Sequence, residues 1–352
     1  MNIEETVRQI RPLMAAPMEA CKAKWNSLAK PIYGLGRLEE VFMQIAGIQG
    51  TEEIKIDKKA LIVMCADNGV VEEGVSQTDS SVTKVVADNF SKGHTTAYIM
   101  ARRALVDVFP VDIGVNEKTE IYDGLKVRCG TGNMTKTLAM TRQEAEQAVE
   151  AGIKMAYMCK EKGYQILLTG EMGIGNTTTS SAVAAVLLGE SAEAVTGRGA
   201  GLSFEGLKKK QDAILRALKL HAPDKKDPID ILSKVGGLDI AGMAGVFLGG
   251  AACGVPVVID GFISAVAALL ASKFTPLVRS YAIPSHLSKE PAAELVMRHL
   301  AMEPYLNLSM GLGEGTGAVA LMPLLDMAMD VYRGMDTFEQ IEIEPYQPFG
   351  CH

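Results

Sequence analysis

Ile166-Leu-Leu-Thr-Gly-Glu-Met-Gly-Ile-Gly-Asn-Thr-Thr-Thr-Ser-Ser181 decides how the rest of this chain is read. An apolar run of strand length breaks at Gly170-Glu171 into a glycine-rich turn, and a helical pattern, Ala182 to Leu188, follows. Three other stretches end the same way. Ala60 to Ala66 stops at Asp67-Asn68-Gly69, Val108 to Ile113 at Gly114, and Val255 to Ile259 at Asp260-Gly261. Continuous apolar runs suit strands covered on both faces. Their alternation with helices predicts an α/β fold with a doubly wound parallel sheet. Ligands of such folds bind outside the carboxyl ends of the strands, where these glycines and acids stand.

Working outward, residues 3–48 read as helical. Ile3, Val7, Ile10 and Met14 keep a helical period that Pro12 and Pro17 interrupt, and a second segment starts after Gly36. Thr316 to Arg333 is the helix expected to close the core. The most apolar stretch, Gly242 to Ile259, is broken by glycines and Pro256 and leads into Asp260. It reads as buried core, with no membrane span. Met1-Asn-Ile-Glu-Glu carries early acids and does not read as a signal peptide.

The 352 residues carry a net charge of −7, and the longest basic run is Lys208-Lys209-Lys210, so no nucleic-acid partner is expected. The six cysteines, Cys21, Cys65, Cys129, Cys159, Cys253 and Cys351, form no CxxC pair, and the five histidines are dispersed. That spacing excludes structural zinc and suits free thiols in a reducing cytoplasm.

Glycines after a strand let a ligand approach the backbone, and the helix amides beyond them favour an anion. Gly170 to Ser181 thus reads either as a phosphate cradle or as a tightly packed helix cap. It is neither a Walker A loop nor a full GxGxxG. A side chain at Gly175 is expected to block the backbone approach. Thr196-Gly-Arg-Gly-Ala-Gly201 repeats the glycine theme and adds Arg198, whose fork suits phosphate. Of the three lysines beyond it, Lys208 and Lys209 read as solvated, while one is able to reach the same anion. In Leu308-Ser-Met-Gly-Leu-Gly-Glu-Gly-Thr-Gly317 an acid, Glu314, stands just before the last helix. It is either a dipole partner for that helix or a buried general base. The backbone around it is stripped of side chains, as if something else must fit there. His286, in Pro284-Ser-His-Leu, lines a pocket or packs; a lone His without a positioned partner is weak ground for catalysis.

Six motifs stand in order along the chain: Ala66-Asp-Asn-Gly-Val with Glu73-Gly-Val-Ser76, Glu171-Met-Gly-Ile-Gly-Asn-Thr-Thr178, Gly197-Arg-Gly-Ala-Gly201, Asp260-Gly-Phe-Ile-Ser264, Ser285-His-Leu-Ser288 and Gly311-Leu-Gly-Glu-Gly-Thr-Gly317. Together they resemble the nicotinate-nucleotide–dimethylbenzimidazole phosphoribosyltransferase family, to about Pro345. The resemblance implies a Rossmann-like α/β catalytic domain over 56–333. It also implies a smaller helical domain from both termini (1–55, with 334–352 packing against it), a homodimer, and neither metal nor redox cofactor. The implied reaction moves phosphoribosyl from nicotinate mononucleotide to a lower-ligand base of cobamides. Glu314 matches the family's general base. Glu171, Gly173, Gly175, Asn176 and Thr177 match its nucleotide site, with Gly199, Gly201 and Lys210 at the phosphate. Ser76, Met172, Ser288 and Leu312 fall in its base pocket. The stretch Gln77 to Val85 departs from the family pattern, which leaves dimethylbenzimidazole, another benzimidazole, a purine and a phenol as acceptors. With a phenol the resemblance also allows a heterodimer with a paralogue.

Two other classes compete. An NAD-dependent dehydrogenase needs GxGxxG after the first strand, where this chain has Asp67-Asn-Gly. A non-catalytic nucleotide sensor would keep the phosphate loop and lose the base, yet Glu314 is present.

Overall fold

The computed structural model describes residues 2–346; Cys351 and the end of the expected C-terminal segment lie outside them. Five strands, β1 (Lys59–Ala66), β2 (Val106–Gly114), β3 (Ile166–Met172), β4 (Val257–Ile259) and β5 (Ala282–Pro284), form one sheet. Its order is β2-β1-β3-β4-β5 and every pairing is parallel. The doubly wound expectation holds. The strand order reverses between β1 and β3, the point at which such sheets open a crevice. Met64 pairs with Glu171 and Cys65 with Met172 at that point.

All of β1 is buried, because its side chains feed two layers in turn. Ala60, Ile62, Met64 and Ala66 face a core shared with the helices Arg142–Glu161, Leu238–Ala252 and Phe262–Phe274. Leu61, Val63 and Cys65 face a second core with Arg37–Gln49, Thr96–Arg103 and Thr316–Gly334. In that second layer Trp25 packs edge-on to Phe42 and tilted against Tyr332, with centroids 5.6 and 4.9 Å away. Leu28 pairs with Thr337 across an antiparallel bridge, so segments from both ends of the chain meet there.

The first helices obey their prolines. Ile3–Gln9 ends before Pro12, and Ala15–Ser27 carries Pro17 in its first turn, where a missing N–H costs nothing. Met14 therefore falls between helices and is exposed. β5 is an edge strand that periodicity did not reveal. Three residues ending in proline carry too little pattern, and an edge tolerates the missing donor.

The apolar stretch from Gly242 forms most of the helix Leu238–Ala252 and then β4. Its glycines have a packing cause. A Cβ on Gly245 would lie 1.9 Å from the Val149 carbonyl oxygen, and one on Gly152 would lie 1.8 Å from that of Gly242. The helices Leu238–Ala252 and Arg142–Glu161 thus cross backbone on backbone. Among the described residues no helix is long and apolar enough to cross a membrane.

Candidate active site

β3 runs on through Glu171 to Met172, and a turn of only three residues separates it from the helix Asn176–Leu188. The helix starts six residues before the expected Ala182. Gly175 closes the turn at φ +92°, a backbone that a side chain strains. A second helix, Thr316–Gly334, starts in the same manner behind Gly315 at φ +88°. The amino ends of both helices therefore stand over the carboxyl ends of the strands, beside one cleft of about 250 Å³.

Glu171, Met172, Gly173, Gly175, Asn176 and Thr177 line one wall of this cleft. Ser76 and Gly199 line another, and Ser288, Leu312 and Glu314 a third. The residues expected at a nucleotide site and those expected at a base pocket are thus neighbours. Two expected residues do not line it. Gly201 stands aside, its carbonyl taking a hydrogen bond from the Gln77 side chain, which ties the 77–85 stretch to the glycine turn. Lys210 is wholly buried beneath the wall while Lys208 and Lys209 are solvated. Arg198 is exposed at the rim and donates to the Leu202 carbonyl at 2.9 Å.

Lys210 Nζ donates to Thr177 Oγ1 at 2.8 Å and to the Gly197 carbonyl at 3.2 Å. Two of its three hydrogens are placed in this way. Burial pulls the ammonium down to about 8, and the carboxylate of Glu290 opposes that fall. Gly199 leaves the surroundings open, since a Cβ there would lie 2.9 Å from Thr177 Oγ1. A buried cation, a hydroxyl and two glycine turns are the parts from which a site for an anion can be built.

Glu314 is half-buried at φ +61°. Burial raises its proton affinity, the Ala97 N–H at 3.3 Å from Oε2 opposes this, and the carboxylate of Asp260 adds to the rise. The bare backbone around it is taken up by the protein's own side chains. A Cβ on Gly313 would meet the Glu171 carboxyl at 2.4 Å, one on Gly315 would meet Leu61 at 2.4 Å, and one on Gly317 would meet the His286 ring at 1.8 Å. Asp260, at the end of β4, supplies the cap of the helix. Its Oδ1 accepts the N–H groups of Gly317 at 2.7 Å and Ala318 at 3.1 Å, and its Oδ2 accepts that of Gly315 at 3.3 Å. Glu314 is therefore free of the dipole-partner role, which Asp260 fills.

His286 is buried in the wall, with Nε2 4.0 Å from Asp260 Oδ1. Two acids join the expected set. Asp260 stood in a quoted motif without a role. Asp239 was not singled out; its one signal was a lone acid opening the most apolar helix of the chain. Among the described residues no group of three or more His, Cys, Asp or Glu is placed to hold a metal ion.

Gly175→Val tests the turn. The added Cβ would lie 2.7 Å from Val71 Cγ2 and 3.3 Å from Asn68 Cβ. It points back into the turn after β1, so the expected block of ligand approach acts indirectly, by pushing the start of the helix. Nucleotide affinity is expected to fall at least ~10-fold, because the strained residue displaces the amides that meet the ligand, with a lower Tm. Titration calorimetry and a thermal melt check it; an unchanged Kd would remove the turn from the site.

Comparison with known proteins gives one consistent picture. The profile of a family described as Phosphoribosyltransferase matches residues 10–343. A protein of Acetivibrio thermocellus named nicotinate-nucleotide–dimethylbenzimidazole phosphoribosyltransferase is 50% identical over 347 residues, 98% of this chain and 99% of its own length. One of the same name from Clostridium acetobutylicum is 49% identical over 350 residues, 99% of each chain. The crystal structure of CobT from Thermus thermophilus superposes with a TM-score of 0.88 at 38% identity, covering 94% of this chain and 99% of that one.

Proposed function

This chain belongs to that phosphoribosyltransferase family, and from this membership we propose that it moves ribose phosphate from nicotinate mononucleotide to a lower-ligand base, 5,6-dimethylbenzimidazole or a related benzimidazole, in cobamide assembly. The observation that carries the reading is a single cleft holding both an anion site over Lys210 and a carboxylate, Glu314, with raised proton affinity. Phosphate held at Thr177, Gly199 and Lys210 fixes the ribose. Met172 and Leu312 offer a flat apolar slot, and Ser76 and Ser288 its polar edges.

The chemistry is a displacement at the anomeric carbon. One ring nitrogen of the base attacks from the face opposite nicotinate and forms the new C–N bond. The old C–N bond breaks, and its electron pair returns to the pyridine nitrogen, so the pyridinium leaves neutralised. Glu314 takes the N–H proton from the other nitrogen of the base. The product is the α-riboside 5′-phosphate. Holding both reactants in one cleft supplies much of the acceleration.

The same reading includes a homodimer, a helical unit knit from 1–55 and the C-terminal segment, and a cytoplasmic setting in keeping with the five free cysteines described. The tie between Gln77 and Gly201 bears on the acceptor, because it holds the divergent 77–85 stretch at the cleft.

The test is incubation of the purified protein with nicotinate mononucleotide and dimethylbenzimidazole, benzimidazole, adenine, phenol or p-cresol, followed by mass spectrometry. Riboside phosphate and nicotinate in equal amounts are expected with the benzimidazoles. A phenolic or purine product would reassign the acceptor. Nucleotide binding without any product, even with a paralogous subunit added, would favour the sensor.

A further inference from the structure

Glu171 is the least conventional group in the cleft. It stands at the end of β3 in the sheet's centre, almost fully buried, yet borders the space where the nucleotide is proposed to lie. Its charged neighbours are acids from every side: Asp239 on the helix Leu238–Ala252, Asp260 after β4, and Glu314 before the last helix. The Cys65 thiol lies behind it on β1. Its close partner is neutral, the Asn176 amide, which donates to Oε2. Asp239 is buried completely. Its Oδ1 accepts the Ile240 N–H at 2.9 Å, while Oδ2 has no hydrogen-bond partner. The Asn176 amide acts on both acids, drawing down the proton affinity of each. The amide is nonetheless bonded to Glu171 alone, and the largest charged influences on Glu171 are all acids.

Burying an unpaired carboxylate is unfavourable, and the neutral acid is the lower-energy state. Burial, then Asp239 and Asp260, push Glu171 up to about 8, and burial pushes Asp239 up to about 6. An empty site at neutral pH therefore holds Glu171 protonated. A substrate with positive charge at the reacting centre changes the balance, because it gives the carboxylate the counter-charge it lacks.

We propose that Asp239, buried beside Glu171, sets that carboxyl as a charge gauge that is neutral in the empty cleft and ionised against the pyridinium of the nicotinate nucleotide, so that the cleft holds the pyridinium substrate and lets go of the riboside phosphate, whose base carries no charge. The proposal rests on the donor named in the preceding subsection. Its protons balance. One leaves Glu171 for solvent as the pyridinium arrives. In the transfer the positive charge disappears from the ring nitrogen, and an equal charge appears as the proton passed to Glu314. Glu171 then faces a neutral centre, takes a proton back, and loses its hold. Asp239 is a positioning residue in this scheme, since it reaches the nucleotide only through its neighbours.

The test is calorimetric binding of nicotinate mononucleotide at neutral pH in buffers of different ionisation enthalpy, which counts protons released. The wild-type protein is expected to release about one proton per site. The 1,4-dihydro form of the nucleotide, with the same phosphate and ring carboxylate but an uncharged ring nitrogen, is expected to release markedly less and to bind at least ~10-fold more weakly. Asp239→Asn keeps the shape and removes a negative charge, so Glu171 gives up its proton more readily. Proton release in the variant is expected to be smaller at pH 7, with its pH profile moved to lower pH. A merely structural role for Asp239 would lower Tm and leave that profile in place. Binding by the wild type without proton release overturns the gauge alone, as does an unmoved profile in the variant. Equal release with the dihydro form also overturns it. No binding of nicotinate mononucleotide at all overturns both the gauge and the donor assignment beneath it. If Asp239→Asn does not fold, the two wild-type titrations still decide.

Discussion

Glu314→Gln is expected to lower kcat with benzimidazole by about 10²–10⁴-fold, the range for losing a positioned general base. Nucleotide affinity should stay within about 3-fold, because the shape of the side chain and its acceptor for the Ala97 N–H both survive. Steady-state kinetics with both substrates varied would separate these effects. Unchanged turnover would remove Glu314 from the chemistry. The pH profile gives a second check. Burial and then Asp260 raise the proton affinity of this carboxyl. A base must be unprotonated to act, so activity should fall as pH drops through the raised pKa. The acid limb should accordingly lie above the ordinary glutamate range, and it should vanish from the residual activity of the variant.

Lys210→Met should act on the other reactant. The ammonium is buried under Thr177 and Gly197, with one hydrogen free of the two bonds described. Leaving a buried phosphate without its cation costs roughly 2–5 kcal/mol, so kcat/KM for the nucleotide should fall on the order of 100-fold or more. Saturated turnover should change much less, since phosphate is held alike in the ground and transition states. With the ammonium drawn down to about 8, the wild-type protein should lose nucleotide affinity as pH rises past that value, and the variant should not. A KM for nicotinate mononucleotide that stays put in Lys210→Met would exclude this cation from the phosphate site.

Of the strands that carry the cleft, β1, β3 and β4 were legible because each is a continuous apolar run ending in small or acidic residues, whereas β5 was not. β1 shows the reason, with every residue buried between two helical layers. The start of the helix after Gly175 was not legible. Thr178, Thr179, Ser180 and Ser181 read in the sequence as part of the turn, but all four are buried in the helix, and tertiary contact overrides their weak propensity. Three lysines in a row concealed the one that matters, because only the helical phase tells which of them turns inward. The glycines around Glu314 leave room for something to fit there. Sequence contains no hint that Glu171, Leu61 and His286 would fill it, since those contacts join residues far apart in the chain. Asp239 was hidden for the same reason: its neighbours Asn176 and Glu171 come from another crossover.

Gly313, Glu314 and Gly315 are three successive residues with φ of +86°, +61° and +88°. The middle position is shaped for glycine, and holding a carboxylate there costs roughly 1–3 kcal/mol of backbone strain. Selection for heat tolerance alone would accordingly drift at this residue toward Gly or Asn, which occupy that conformation with little strain. Selection for turnover would hold it at Glu. A library randomised at position 314 and sorted in both ways should return opposite winners, marking the place where this fold gives up durability to keep its reaction.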